Sequence, residues 1–158
     1  MSVGTAEKRG DMQIQKTIRI NAGVNRVFRA LTSSGDMVKC FPLEKVESCW
    51  NPGDEIFFHG HQGGADHGII DIIFPPCEFQ YRYWSDSHGT EKKEENYITI
   101  DYTLVPDGGG TQLNMVQRNL PSEAVGFTQS GIWDAMFKRL KTFLEKGEGF
   151  TNLEGEDI

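Results

Sequence analysis

The feature that most constrains the fold is a series of strand-sized segments between residues 43 and 120, most of them separated by short turn signals. The turns are NPGD, QGGADHG, PP and PDGGG, and glycine readily accepts the positive backbone angles that tight turns require. Because parallel strands need a long crossover, these short turns predict an antiparallel meander. The predicted strands are LEKVESCW, EIFFHGH, IIDIIF, CEFQYRYWS, YITIDYTLV and TQLNMVQRNL, with a charged loop, DSHGTEKKEEN, before YITIDYTLV.

Helical periodicity flanks this meander. The alternating QIQKTIRI predicts a first strand, and VNRVFRALT and SGDMVKCF predict two short helices after it, with Asn21 capping the first. After Pro121, apolar residues recur at the helical period and predict a helix of about 24 residues that ends at Lys146 and Gly147. Gly126 and Gly131 inside this helix indicate close packing or a kink, because glycine disfavours a helix interior.

The order of these segments predicts one α+β domain over residues 12–147, with tails at 1–11 and 148–158 that we expect to be flexible. An antiparallel sheet with one apolar face needs a cover, and the long helix with its aromatic stripe is the obvious one. We therefore expect a curved sheet of about six to seven strands wrapped around that helix. A cavity can remain between the two.

Charge and composition exclude several classes of function. Sixteen basic and twenty-three acidic side chains give a net charge of −7, which disfavours nucleic acid as a partner. Cys40, Cys49 and Cys77 form no CxxC pair, which indicates reduced thiols. No apolar run approaches the length of a membrane span, and the N-terminus carries no apolar signal segment. We therefore predict a cytoplasmic protein without a membrane partner.

The stretch FHGHQGGADH, residues 58–67, holds three of the four histidines. His59 and His61 would share one face of a strand, and His67 across the turn could complete a zinc site. However, Ile56 and Phe58 fit the core-facing side, which sends the histidines to the other face. We therefore predict no metal and no cofactor, and keep a histidine metal site as the minor alternative.

Four stretches together resemble a known superfamily: IRINAGVNRVFRALT, CWNPGDEIFF, GIIDIIFPPCEFQYRYW, and LVPDGGGTQLNMVQRNLP followed by GIWDAMFKRLKTFLE. Over residues 13–146 the chain is similar to the helix-grip proteins of the START and birch-pollen-allergen superfamily (SRPBCC). The most similar branch is that of the homologues of the activator of heat-shock-protein-90 ATPase. The resemblance implies a helix-grip fold. It leaves function open among lipid carriers, hormone receptors, cyclases and small-ligand binders. Chaperone activators of the branch carry a further N-terminal domain, so direct chaperone activation is not the expectation.

An aromatic set on the predicted inner face favours ligand binding. Inward tyrosines need partners for their hydroxyls, which suggests a partly polar cavity with apolar walls. We therefore predict that a small hydrophobic or aromatic molecule binds between sheet and helix. The predicted ligand-binding residues are Phe41, Phe58, Tyr81, Tyr83, Tyr102, Met115, Trp133, Met136 and Phe137.

No catalytic residue is predicted, since no nucleophile elbow or activated cysteine is evident. Asp71 lies among apolar neighbours and could be a cavity acid, but a position on the wet face of its strand is the favoured interpretation. Two alternatives stay open. One is a cyclase or hydrolase that uses such an acid or a metal. The other is an interaction module, a homodimer or a partner of a chaperone, that uses the outer sheet face around Phe57.

Overall fold

The computed structural model describes residues 12–61 and 64–146. These residues form one seven-stranded antiparallel sheet in the order β1-β7-β6-β5-β4-β3-β2, curved and covered by helices. The α+β prediction is confirmed. The elements along the chain are β1 Gln13–Ile20, α1 Val24–Leu31, α2 Ser34–Cys40, β2 Lys45–Ser48, β3 Glu55–His59, β4 Ala65–Phe74, β5 Glu78–Trp84, β6 Ile98–Asp107, β7 Gly110–Arg118 and α3 Glu123–Lys146.

The first strand, β1, lies at one edge of the sheet and pairs with β7, the last strand along the chain. In β1 the isoleucines at positions 14 and 20 are buried while the intervening odd positions face outward, as period-two alternation requires. The hairpin from β6 to β7 turns at Gly108 and Gly109, with φ angles of 54° and 88°. The predicted PDGGG turn is thus shorter than expected, since the flanking residues join the ladder.

The fourth strand departs most from the sequence prediction. It begins at Ala65, so Asp66 and His67 lie in the strand and pair with β3, although QGGADHG was predicted as a turn. Gly68 has a packing role here. A Cβ on it would lie 2.7 Å from the Arg82 carbonyl oxygen and 2.9 Å from Cγ2 of Ile56. That glycine serves close strand packing and not a turn.

The long helix α3 covers the inner face of the sheet, and its length matches the prediction. The side chains that it buries against the sheet are Trp133, Phe137, Leu140 and Phe143. A Cβ on Gly131 would meet nothing within 4 Å, so the interpretation of close packing there is wrong. No helix in the described part of the chain is long and apolar enough to cross a membrane.

The short helices pack on one another at the end of the sheet. Asn21 does not cap α1 as predicted. The cap position is Gly23, which makes no side-chain capping bond, and the Asn21 backbone N–H donates to Oε2 of Glu145 at 2.6 Å. Ser33 caps α2 by accepting from the Asp36 N–H. The cap position is thus two residues later than predicted, and the Asn21 side chain lies outside it. The predicted tails lie outside the described residues.

Candidate functional site

A pocket of about 160 Å³ lies between the inner face of the sheet and α3. The sheet supplies residues from β3, β4, β5 and β6, α3 supplies four side chains, and α2 with the loop after it supplies the rest. The lining residues are Met37, Phe41, Pro42, Leu43, Phe58, Asp66, Tyr81, Tyr83, Tyr102, Gln129, Ile132, Trp133 and Met136. Seven of the nine residues predicted from the sequence are among them.

The other two predicted residues, Met115 and Phe137, do not reach the pocket. Both are buried in the core, at 0% and 4% exposure. Met115 pairs with Tyr102 across β6 and β7, and the Phe137 ring packs on Trp133 at a centroid distance of 5.8 Å. They support the rings that line the pocket instead of lining it themselves. Alternation and helical period place a residue on a face, but they do not say how deep it lies.

The aromatic walls meet at steep angles. Phe58 lies 5.4 Å from Tyr81 and 6.3 Å from Tyr83, with its ring inclined at 74° to the latter. Tyr102 and Trp133 meet at 6.0 Å and 75°. Rings set nearly at right angles present both faces and edges to the space between them. The pocket is therefore lined on the sheet side and on the helix side by π-systems.

The buried polar groups around these rings have partners. The Trp133 indole N–H donates to Oε1 of Gln117 at 3.1 Å, and Nε2 of Gln117 donates to Oε1 of Gln129 at 3.2 Å. Tyr81 and Tyr102 interact through their hydroxyls, and burial raises the pKa of both above the ordinary range. The inward tyrosines thus remain neutral and have hydrogen-bonding neighbours. The Gln117 and Gln129 amides were not singled out from the sequence.

The carboxylate in the pocket is Asp66, which the sequence analysis missed. It stands opposite Phe58 in the ladder and its side chain is only partly exposed. Burial raises its pKa, the hydrogen bond with Ser85 opposes that shift, and the nearby Asp86 adds to it. The signal was present, since positions 66, 68 and 70 alternate in phase with the core, but Gly68 made the segment resemble a turn.

Asp71, the acid considered from the sequence, lies on the opposite face of the sheet. Nε of Arg82 donates to its Oδ2 at 2.8 Å, and Nη2 donates to its Oδ1 at 2.9 Å. A bulge between Ile70 and Ile72 surrounds it. The favoured interpretation, a position on the wet face, is confirmed by this pairing, and Asp71 takes no part in the pocket.

Two of the three histidines of this stretch, His59 and His67, are paired with carboxylates, each with a different one. Nε2 of His59 is hydrogen-bonded to Glu47 at 2.7 Å. His67 bridges Glu55 at 2.9 Å and the Tyr97 hydroxyl at 2.8 Å, and its ring covers Phe57 at 5.2 Å. Within residues 12–61 and 64–146, no three His, Cys, Asp or Glu side chains are grouped to hold a metal ion. His67 was also misplaced in the turn, because it belongs to β4.

A curved antiparallel sheet that wraps a long C-terminal helix, with a pocket between them, defines a helix-grip domain. The chain belongs to the family of activator of Hsp90 ATPase homolog 1-like proteins (AHSA1), whose sequence model matches residues 21–145. The resemblance inferred from the four sequence stretches is thereby confirmed. No curated protein matches the sequence significantly.

Solved structures share the fold at low sequence identity. ChR145 from Cytophaga hutchinsonii is 26% identical with a TM-score of 0.74, covering 86% of this chain and 95% of its own. The Aha1 dimer from Colwellia psychrerythraea is 18% identical with a TM-score of 0.73, covering 87% and 99%. CalU16 from Micromonospora echinospora is 20% identical with a TM-score of 0.70, covering 86% and 67%. At these identities the last two show the fold alone.

Proposed function

We propose that this protein binds a small molecule, about the size of one aromatic ring, in the pocket between the sheet and α3. The observation that carries the proposal is the lining: six aromatic rings with a few convergent polar groups, which is how small-molecule sites are usually built. The volume of about 160 Å³ is that of a cavity that holds benzene in an engineered protein, where it is about 150 Å³. Larger ligands would require α3 or the loop after α2 to move.

The test is titration with benzyl alcohol, followed by NMR shifts of the backbone and of the Trp133 indole N–H. Binding in the pocket shifts the Trp133 resonance together with those of Tyr81 and Met136, which line it from the sheet and from the helix. A titration that moves only resonances of the outer sheet face would overturn the proposal.

A pair of variants on the same helix provides the control. Ile132→Trp places a large ring at the partly exposed edge of the pocket and should weaken binding by about tenfold or more, because ring atoms occupy the ligand's volume. Phe127→Trp adds the same side chain at a position that is 86% exposed and outside the lining. It should bind like the wild type. Equal affinities for both variants would contradict the proposal.

A homodimer is the second candidate, favoured by one surface. Phe127 and Ile132, on the N-terminal half of α3, are 86% and 40% exposed. The structurally similar Aha1 from Colwellia psychrerythraea was solved as a dimer. We infer that a second copy of this chain covers this surface. Light scattering should give a dimer for the wild type and a monomer for Phe127→Ser. A monomeric wild type at high concentration rules the dimer out.

The cytoplasmic location and a chaperone-type partner stay predictions.

A further inference from the structure

The described lining of the pocket carries a negative charge and no positive one. Asp66 is its one ionisable acid or base apart from tyrosine, and the lining holds no Lys, Arg or His among the residues that the structure describes. Its hydrogen-bonding neighbour is the Ser85 hydroxyl, and the negative charge of Asp86 also acts on it. The field inside the pocket is therefore negative, and no cation of the lining compensates for it.

Three basic side chains of the surrounding elements are paired with other carboxylates. Arg26 is bonded to Asp36 at 3.0 Å. Lys45 lies 3.3 Å from Glu47, and Arg82 is paired with Asp71 on the outer face. Each of these pairs satisfies its cation without help from Asp66. Since the described lining also holds no basic residue, a positive charge inside the pocket would come with the ligand.

The aromatic rings around Asp66 also favour a positively charged ligand. A cation is attracted to the faces of Trp, Tyr and Phe within about 6 Å of the ring centroid, and cages of such rings recognise ammonium ligands. Phe58, Tyr81 and Tyr83 form one wall within 6.3 Å of one another, and Tyr102 and Trp133 form a second wall at 75° between their planes. The tyrosine rings present electron-rich faces of this kind to the pocket.

We propose that the pocket selects a small organic cation, an ammonium group carried on a single ring or a compact aliphatic body, with Asp66 as its counter-ion and the aromatic walls as its cage. This inference rests on the proposed ligand-binding function and adds the charge of the ligand to it. Anionic molecules of the same size are disfavoured, because the pocket offers them a carboxylate and no basic partner.

Three probes of nearly equal shape test the charge: benzylammonium, benzyl alcohol and benzoate, titrated separately into the full chain at pH 7.5 and low salt. We expect the cation to bind at least about tenfold more tightly than the alcohol, and benzoate to bind most weakly. Asp66→Asn keeps the size of the side chain and its hydrogen bond to Ser85. It should lower the affinity for benzylammonium by about tenfold and leave that for benzyl alcohol nearly unchanged.

Asp134→Asn is the matched control. It removes one negative charge from the helix that covers the pocket, at a 67% exposed position paired with Lys16. Its affinities for all three probes should equal those of the wild type. An equal loss in both variants would show an effect of net charge alone and would overturn the role of Asp66.

The remaining outcomes separate this inference from the function beneath it. If benzyl alcohol or benzoate binds as tightly as benzylammonium, the charge selection is wrong while the ligand-binding proposal survives. If none of the three probes shifts the Trp133 resonance, both are wrong. Should Asp66→Asn not fold, as a thermal melt would show, the order of the three probes on the wild type decides the question.

Discussion

The two faces of the sheet carry carboxylates in opposite settings, and β4 shows this within one strand. Asp71, on the outer face, is held by two short bonds from Arg82. Asp66, on the inner face, has the Ser85 hydroxyl as its partner among the described residues and lies against a wall of aromatic rings. Arg82 neutralises the outer carboxylate, whereas no ion pair with the inner one is present in the described part of the chain. A protein that only needed a folded core would have little reason to bury the second.

The strand next to it repeats the contrast. On β5, Phe79, Tyr81 and Tyr83 face the core and the pocket, while Glu78, Gln80 and Arg82 form the outer face. The outer groups stabilise through cross-strand pairs that solvent weakens. The inner groups stabilise through close packing and a few buried hydrogen bonds. Substitutions on the inner face should therefore cost more, and they should respond less to salt.

Gly68→Ala should have the largest effect, because the inner strand contact leaves no room for a Cβ. The added methyl would lie 2.7 Å from the Arg82 carbonyl oxygen, which is backbone and cannot rotate away. We expect a loss of about 2–3 kcal/mol in the free energy of unfolding, measured in urea. Gly60→Ala, where a Cβ meets nothing within 4 Å, should stay within about 0.5 kcal/mol of the wild type. Comparable stability of the two variants would contradict the close approach.

Gln117→Leu should give the next largest loss in the free energy of unfolding. Its amide is fully buried, and it accepts the bond from the Trp133 indole N–H. The substitution leaves that N–H without a partner, which should cost about 2 kcal/mol. The matched control on the same strand is Gln112→Leu, since Gln112 is exposed on the outer face and should cost almost nothing. If the two variants unfold at the same urea concentration, the buried hydrogen bonds do not contribute to stability.

The sequence predicts the fold well because the fold depends on long, repeated patterns. The alternation in residues 13–20 and the helical period after Pro121 each extend over many residues, so one atypical residue does not hide them. The β4 segment is the opposite case. Gly68 is a turn residue by type, yet the structure needs it because two strands approach closely there. Because Gly68 was interpreted as a turn residue, the sequence prediction placed Asp66 and His67 in a turn instead of in β4.

The candidate site is predicted in part, for a related reason. The aromatic residues that line it follow from alternation, but their depth depends on packing between distant elements, and so Met115 lies in the core. Asp66 and Gln117 are polar residues whose inward position depends on strand register. The register of Asp66 could not be inferred because its segment was interpreted as a turn, whereas Gln117 continues the alternation of Leu113 and Met115 and was passed over because it is polar. Hydrophobic pattern identifies walls more readily than it identifies the polar groups between them.

The ion pair between Asp71 and Arg82 on the outer face should make a smaller, salt-sensitive contribution to stability. Asp71→Asn removes the charge that holds Arg82, whose remaining carboxylate, Glu94, is 3.9 Å away. We expect a loss of about 1 kcal/mol at low salt that shrinks in 1 M NaCl, because screening already weakens a surface pair. Glu91→Gln breaks the more exposed pair with Lys93 and should have no measurable effect. A cost for Asp71→Asn that is independent of salt would mean that packing, and not charge, holds the pair.

Asp101 tests the outer face through pH, with the smallest expected effect. Burial, and after it the hydrogen bond and charge of Glu78, raise its pKa from 3.8 to about 7, although Arg118 at 3.9 Å opposes the shift. A carboxyl whose pKa is raised by folding binds its proton more tightly in the folded state, so its stabilising contribution is present at low pH. That contribution is lost as pH rises from about 4 to about 7.

Asp101→Asn resembles the protonated carboxyl at every pH, so it should match the wild type at about pH 3, below the unfolded pKa, and be more stable at pH 8. With solvent screening at the sheet surface, we expect a gain of about 0.5–1 kcal/mol in urea unfolding. Asp107→Asn, at the exposed hairpin end beside Arg19, removes one outer-face carboxylate in the same way and is the control for the loss of one negative charge. If Asp101→Asn were instead less stable at pH 8, the ion pair with Arg118 would outweigh desolvation, and the outer face would neutralise each of its carboxylates as it does Asp71.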